Sequence, residues 1–101
     1  MTPRYHLILT MRAADEMEAI FDFIREDSPH NASALIAGIV EAIDNLAYFP
    51  FRTIVAGGSA KGRLPLRSLP MGNYLVFFRV NQRTMGVTVV RVRHGARKRR
   101  A

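Results

Sequence analysis

Apolar and polar residues alternate along residues 4–10, which read Arg-Tyr-His-Leu-Ile-Leu-Thr. Tyr5, Leu7 and Leu9 therefore share one face of an extended chain, and this period of two predicts a β-strand. Thr10 ends the alternation at a point where its hydroxyl can cap the first turn of a helix.

Residues 11–49 change to the period of an α-helix. The first apolar stripe consists of Met17, Ile20, Phe21 and Ile24. The second consists of Leu35, Ile36, Ile39, Val40, Ile43 and Leu46. Each stripe predicts an amphipathic helix. Ser28-Pro29 suits the start of the second helix, and Phe49-Pro50 suits its end. The short connection predicts an antiparallel helical hairpin.

The second half of the chain predicts a loop at residues 51–65 and then three strands, at 65–69, 73–80 and 87–93. The loop contains Gly-Gly-Ser-Ala-Lys-Gly at 57–62. It lacks the Lys-Ser/Thr ending of a phosphate-binding loop, so we expect a mobile connection. The order β-α-α-β-β-β predicts a single α+β domain spanning residues 1–101. We expect a small, mostly antiparallel sheet with the N-terminal helical hairpin packed on one face.

Alternation along the last two strands sorts the arginines onto one face. We expect the face toward the helices to carry Tyr74, Val76, Phe78, Val90 and Val92. The open face then carries Arg79, Arg91 and Arg93, and Arg97 and Lys98 continue this basic patch. The plain alternative is a solvated sheet face that has no function.

Charge is divided unevenly along the chain, whose formal net charge is +7. All eight acidic residues lie between Asp15 and Asp44, and residues 51–101 hold twelve Lys or Arg and no acid. This asymmetry favours an anionic partner, either nucleic acid or an acidic protein segment. A solvated surface that keeps the protein soluble is again the alternative.

Composition narrows the chemistry further. The chain has no cysteine, so disulfides and thiolate metal sites are excluded. No apolar run approaches the roughly 20 residues of a membrane span, and we expect a cytoplasmic protein without a membrane partner. No acidic residue follows Asp44 to orient His94, so we interpret His94 as a strand-end residue rather than a general base. We expect no catalytic group, metal or cofactor.

The order and spacing of these segments resemble the ParE branch of the RelE/ParE superfamily of toxins from bacterial type II toxin-antitoxin systems. The matching segments are Tyr5 to Thr10, Ala14 to Ile20 with Ile24, Ser28-Pro29 with Ala32, Ile43 with Leu46-Ala47, Phe49-Pro50, Arg67 to Pro70, Gly72 to Tyr74, Val76 to Val80, Val89 to Val92, and His94 to Arg97. No segment is specific alone, but together they cover about ninety residues.

The resemblance implies a growth-inhibiting toxin that is neutralised by a ParD-like antitoxin from the same operon. Studied ParE proteins poison DNA gyrase, and the family serves in plasmid stabilisation. We therefore expect a hetero-oligomer with the antitoxin, gyrase as the target, and contact with DNA only indirectly through the antitoxin. The RelE branch instead cleaves messenger RNA on the ribosome with basic residues and a tyrosine.

Two positions favour a non-enzymatic toxin. In the ribonuclease branch an arginine follows the Gly-Tyr of the strand, whereas Leu75 follows Tyr74 here. The Gly-x-Arg motif of that branch matches Arg97, but its following tyrosine has no counterpart up to Ala101. Many ParE sequences also have arginine at the Leu75 position, which leaves the target open. The alternatives are a ribosome-dependent mRNA endonuclease and an inactive relative that acts only in operon autoregulation with the antitoxin.

Two sets of residues are candidates for binding. The target-binding candidates are Arg79, Arg91, Arg93, His94, Arg97 and Lys98. The antitoxin-binding candidates are Phe21, Ile24, Ile36, Val40 and Ile43, on a hairpin that could accept a partner helix. An acidic antitoxin arm that folds on binding would suit this basic chain.

Overall fold

The computed structural model describes residues 4–57 and 63–95. The strands are β1 (His6–Leu9), β2 (Ile54–Gly57), β3 (Leu66–Met71), β4 (Tyr74–Asn81) and β5 (Gly86–His94). The helices are α1 (Met11–Arg25) and α2 (Pro29–Asn45), and a short 3-10 turn covers Pro50–Arg52. The α+β prediction is confirmed, and β2 adds one strand to the expected order.

Both helices begin where the sequence predicts. The Thr10 hydroxyl accepts a hydrogen bond from the Ala13 N–H at 3.1 Å, and the Ser28 hydroxyl accepts one from the Asn31 N–H at 3.3 Å. Each bond satisfies an amide that has no partner within its helix. The second helix ends at Asn45, before the expected Phe49-Pro50. The Asn45 carbonyl accepts hydrogen bonds from the Tyr48 and Phe49 amides, which turns the chain.

The sheet has the strand order β1-β5-β4-β3-β2. β1 runs parallel to β5, so the first and last strands are neighbours, and all other pairs are antiparallel. The two helices pack on each other and on one face of the sheet, α1 against β5 and α2 against β3. Phe78, Ile39 and Val76 are fully buried between these layers. This burial of apolar area supplies most of the drive for folding.

The predicted loop at residues 51–65 is wrong over its first part. Ile54 pairs with Ser68 and Val55 with Arg67, which makes β2 an outer strand beside β3. The pairing satisfies backbone groups that β3 would otherwise leave open along its outer edge. Residues 58–62 of the expected mobile connection lie outside the described residues.

A β-bulge in β5 overturns part of the predicted inward face. Phe77 pairs with Arg91 and Phe78 with Val89, so Val90 is an extra residue between the two pairs. The phase of the strand shifts there, and Val89 and Val92 both reach the core. Val90, which was expected in the core, is only half-buried, as is Tyr74. Val76, Phe78 and Val92 lie inward as predicted.

Candidate functional site

The predicted basic patch is discontinuous in the part of the chain that the structure describes. Arg79 lies opposite Thr88, and its Nε donates a hydrogen bond to the Leu64 carbonyl at 3.1 Å. Arg93 is exposed and lies opposite Leu75. Leu75 and Arg79 are four positions apart along β4, so Arg93 lies roughly 13 Å from Arg79 along the strand direction. Arg97 and Lys98, the remaining part of the predicted patch, lie outside the described residues.

His94 pairs with Tyr74 at the end of the sheet. The two rings meet edge to face, with centroids 5.0 Å apart. This is a favourable aromatic geometry and gives His94 a packing role at the strand end. The side chain of His94 is nevertheless exposed, so it remains a candidate for target binding.

Arg91 does not present a free charge on the open face, contrary to expectation. Its Nε and Nη2 each lie 2.7 Å from Oε2 of Glu16 on α1. The same carboxylate uses Oε1 to accept the Val92 backbone N–H, also at 2.7 Å. Glu16 thus binds a side chain and a backbone group of β5 at once, and the two charges largely compensate each other.

This contact lies where β5 loses its neighbouring strand. β1 ends at Leu9, opposite Val89. Beyond that point the Thr10 N–H donates to the Val89 carbonyl, and the Thr10 hydroxyl donates to the Val90 carbonyl at 3.3 Å. Glu16 then accepts the Val92 N–H. The residues at the start of α1 therefore replace β1 as the hydrogen-bonding partners of the β5 edge. We name Thr10, Glu16 and Arg91 together the β5 clamp.

The clamp determines the ionisation of Glu16. Partial burial acts to raise the pKa of Glu16, and the hydrogen bonds from Arg91 and the Val92 amide act to lower it. The positive charges of Arg91 and Arg12 act in the same direction, so the net effect is a pKa below the usual range for glutamate. The folded protein therefore favours the carboxylate form that the clamp needs.

Leu75 packs against the last described residue of the chain. The Gly95 N–H donates to the Asn73 carbonyl at 2.8 Å. A side chain at Gly95 would crowd Leu75, because a Cβ atom there would lie 3.0 Å from Leu75 Cγ. The aliphatic side chain of Leu75 therefore lies beside the end of β5.

The predicted antitoxin-binding residues differ in accessibility. Phe21, Ile24 and Ile36 are half-buried, and Val40 is exposed. Ile43 is only 8% exposed and lies in the core cluster, so it offers little surface to a partner. Periodicity places residues on the apolar stripe but does not separate its buried centre from its accessible margins.

A second cluster of arginines was missed by the sequence analysis. Three guanidinium groups stack on three rings: Arg4 on Tyr48 at 5.9 Å, Arg52 on Phe49 at 5.3 Å, and Arg67 on Phe51 at 4.8 Å. We call these six residues the arginine-aromatic cluster. The run Tyr48-Phe49-Pro50-Phe51-Arg52 is the signal that could have indicated it, because it places three aromatic rings next to a cation.

A pocket of about 420 Å³ opens beside this cluster. Its walls come from the end of α2, the 3-10 turn and β3. The lining residues are Ala42, Asn45, Leu46, Phe49, Arg52, Thr53 and Leu69. Apolar side chains line most of the pocket, and Arg52 supplies its positive charge.

Within residues 4–57 and 63–95, no group of three His, Asp or Glu side chains could hold a metal ion. No helix in these segments is both long and apolar enough to cross a membrane. The described surface carries an exposed arginine beside the end of β5, an apolar stripe on the helical hairpin, and a pocket whose lining includes the stacked Arg52.

A two-helix hairpin on one face of a five-stranded sheet defines a small α+β domain. The family comparison identifies it further. The chain belongs to the family of ParE toxins of type II toxin-antitoxin systems, parDE, whose family model matches residues 7–99. A comparison with curated proteins finds no match.

Solved structures confirm the fold. The chromosomal ParDE toxin-antitoxin system from P. aeruginosa contains a chain with 22% identity and a TM-score of 0.70, covering 92% of this chain and 98% of that one. The archaeal RelE-RelB complex from Pyrococcus horikoshii contains a chain with 20% identity and a TM-score of 0.66, and the match covers 96% of this chain and 99% of that one. The RelBE2 toxin-antitoxin complex from Mycobacterium tuberculosis contains a chain with 20% identity and a TM-score of 0.64, and the match covers 90% of this chain and 91% of that one.

Proposed function

We propose that this protein is the toxin of a type II toxin-antitoxin pair, that it inhibits growth by binding DNA gyrase, and that a ParD-like antitoxin neutralises it. The observation that carries the proposal is the family match over residues 7–99. The similar folds in ParDE and RelBE complexes support a protein partner of the antitoxin kind.

Binding rather than catalysis is favoured by the surroundings of Leu75. The resemblance to the ribonuclease branch would require an arginine at this position, where it could contact a phosphate. Leu75 instead packs against Gly95, and an aliphatic side chain can neither donate a proton nor stabilise negative charge. We therefore propose that toxicity comes from occupancy of the target.

Arg93 is the described residue best placed to contact that target. It is exposed, lies next to His94, and directly precedes the basic end of the chain. Arginine is often an anchor at protein interfaces because one side chain supplies both apolar area and directed hydrogen bonds.

The test is inducible expression of the chain with and without the neighbouring gene, followed by assays of DNA supercoiling and message integrity. We expect growth arrest that the neighbouring product relieves, loss of gyrase supercoiling by the purified toxin, and intact message. Message cut at defined codon positions would support the endonuclease alternative. A folded protein that binds the antitoxin without arresting growth would support a role only in operon autoregulation.

A further inference from the structure

A turn fixed by hydrogen bonds forms one wall of the pocket between α2 and β3. The Asn45 carbonyl accepts the Phe49 amide at 3.2 Å, and the Phe49 carbonyl accepts the Arg52 amide at 3.3 Å. The Thr53 hydroxyl donates to the Pro50 carbonyl at 3.0 Å. These bonds hold the backbone of the pocket wall in place before any ligand arrives, and such preorganisation lowers the cost of binding.

The rest of the lining is mainly apolar. Leu46 is 3% exposed, and Ala42 lies one helical turn before it on the same side of α2. Leu69 of β3 faces them across the pocket. Because a water molecule takes up about 30 Å³ of the liquid, a pocket of about 420 Å³ has the volume of about 14 waters. It therefore suits one small organic molecule of about a dozen non-hydrogen atoms.

Among the described residues that line the pocket, only Arg52 is charged. Its guanidinium stacks on the Phe49 ring at 5.3 Å, and within the described segments ion pairs engage only Arg25 and Arg91. Asp44, the acid nearest to it along the chain, is exposed and does not line the pocket. Stacking orients a guanidinium without neutralising it, so its planar set of N–H groups remains able to bind an anion.

These features identify the chemistry of the ligand. One guanidinium balances one negative charge, which is what a carboxylate carries, whereas a phosphate monoester carries nearly two at pH 7. We propose that the pocket binds a small monocarboxylate with an aromatic or branched aliphatic body. The carboxylate pairs with Arg52 and accepts a hydrogen bond from the Asn45 carboxamide, and the apolar body lies against Leu46 and Leu69. This site is independent of the proposed function.

Single-stranded nucleic acid also combines negative charge with flat rings, but it fits less well. It usually stacks its bases on free faces of aromatic side chains. In the arginine-aromatic cluster, guanidinium groups already cover one face of each of the three rings. The enclosed apolar pocket also matches the volume of one small molecule better than that of a continuous strand.

The test is a titration of the purified full chain, followed by NMR shifts of the backbone amides. The probes are 3-phenylpropionate, its uncharged amide 3-phenylpropanamide, and acetate, which lacks the apolar body. We expect 3-phenylpropionate to bind with a dissociation constant of about 1 mM or below and to shift residues 42–53 and Leu69. The amide and acetate should each bind at least about tenfold more weakly. Residues 6–9 of β1 are the internal comparison and should not shift.

Three variants test the two halves of the site. Arg52→Ala should weaken binding of 3-phenylpropionate at least about tenfold and remove its advantage over the amide, because the charge-assisted hydrogen bonds are lost. Arg83→Ala is the matched control, since Arg83 is also exposed but lies in the β4–β5 turn. Ala42→Leu should weaken both phenyl ligands, because a larger side chain fills the pocket from a helix position that accepts leucine. Melting temperatures show that each variant is folded.

Several results would overturn the proposal. These are the absence of saturable binding at about 10 mM probe, ten times the expected dissociation constant, or shifts that map outside the pocket. Equal affinity of the wild type for the acid and the amide would also overturn it, as would equal effects of Arg52→Ala and Arg83→Ala. Tighter binding of phenyl phosphate, or of a short single-stranded oligonucleotide at the same residues, would overturn the monocarboxylate assignment. Binding is measured on the purified chain, so none of these results bears on growth inhibition.

Discussion

Replacing Glu16 by alanine should destabilise the fold by about 2 kcal/mol. The carboxylate accepts hydrogen bonds from Arg91 and from the Val92 amide, and both lie at 2.7 Å. Hydrogen bonds to charged groups contribute about 1.5–3 kcal/mol, whereas exposed ion pairs contribute about 0–1 kcal/mol. The side chains of Arg91 and Glu16 are 28% and 22% exposed, which places the clamp between these limits.

The effect should depend on pH in a defined direction. The pKa of Glu16 is lowered in the folded protein because, despite partial burial, Arg91 and the Val92 amide stabilise the carboxylate. The stabilisation is therefore complete above the unfolded pKa, about 4.3 for glutamate, and is lost as pH falls through the lower folded value. The difference between wild type and Glu16→Ala should be full near pH 7 and should shrink below about pH 4.

Urea and thermal unfolding at several pH values would measure this difference. In a domain of about 100 residues, 2 kcal/mol corresponds to a fall in melting temperature of about 10 °C. Glu18→Ala is the matched control, because Glu18 is exposed on the same helix. Equal stability of the two variants would refute the reasoning. So would a double-mutant cycle with Arg91→Ala that gives no coupling between the two side chains.

Other predictions concern the core, a turn and the target surface. Val89→Ala should cost about 2 kcal/mol in urea unfolding, because Val89 is fully buried, whereas Val90→Ala at the half-buried bulge should cost less than about 1 kcal/mol. Gly72→Ala should cost about 1 kcal/mol in the same assay, since Gly72 has a φ of +61° between β3 and β4. Arg93→Ala should leave the melting temperature nearly unchanged but relieve growth inhibition, and Arg83→Ala should leave growth inhibition intact.

Local signals account for the parts of the fold that the sequence predicts well. Thr10 and Ser28 cap their helices by hydrogen bonds within three residues, so short patterns contain the needed information. The alternation in residues 74–80 likewise identifies β4, because its buried residues are every second one.

Long-range pairing accounts for what the sequence does not predict. β2 is a four-residue strand whose stability comes from β3, and its glycine-containing surroundings favour a loop when read alone. The hairpin residues illustrate the same limit. Ile43 and Val40 belong to one apolar stripe, but only the packed structure shows that the first is buried and the second exposed.

The bulge at Val90 also changes how the basic face should be interpreted. Strict alternation would place Arg91 with Arg93 on open sheet, as two neighbouring free charges. The phase shift instead accompanies a contact between Arg91 and Glu16, which are 75 residues apart in the chain. The clamp thus joins the start of the helical hairpin to the strand that leads into the basic end. Arg91 stabilises that junction, whereas Arg93 is exposed just beyond it. Under the proposed function, we therefore expect stability and target binding to depend on different arginines of the same strand.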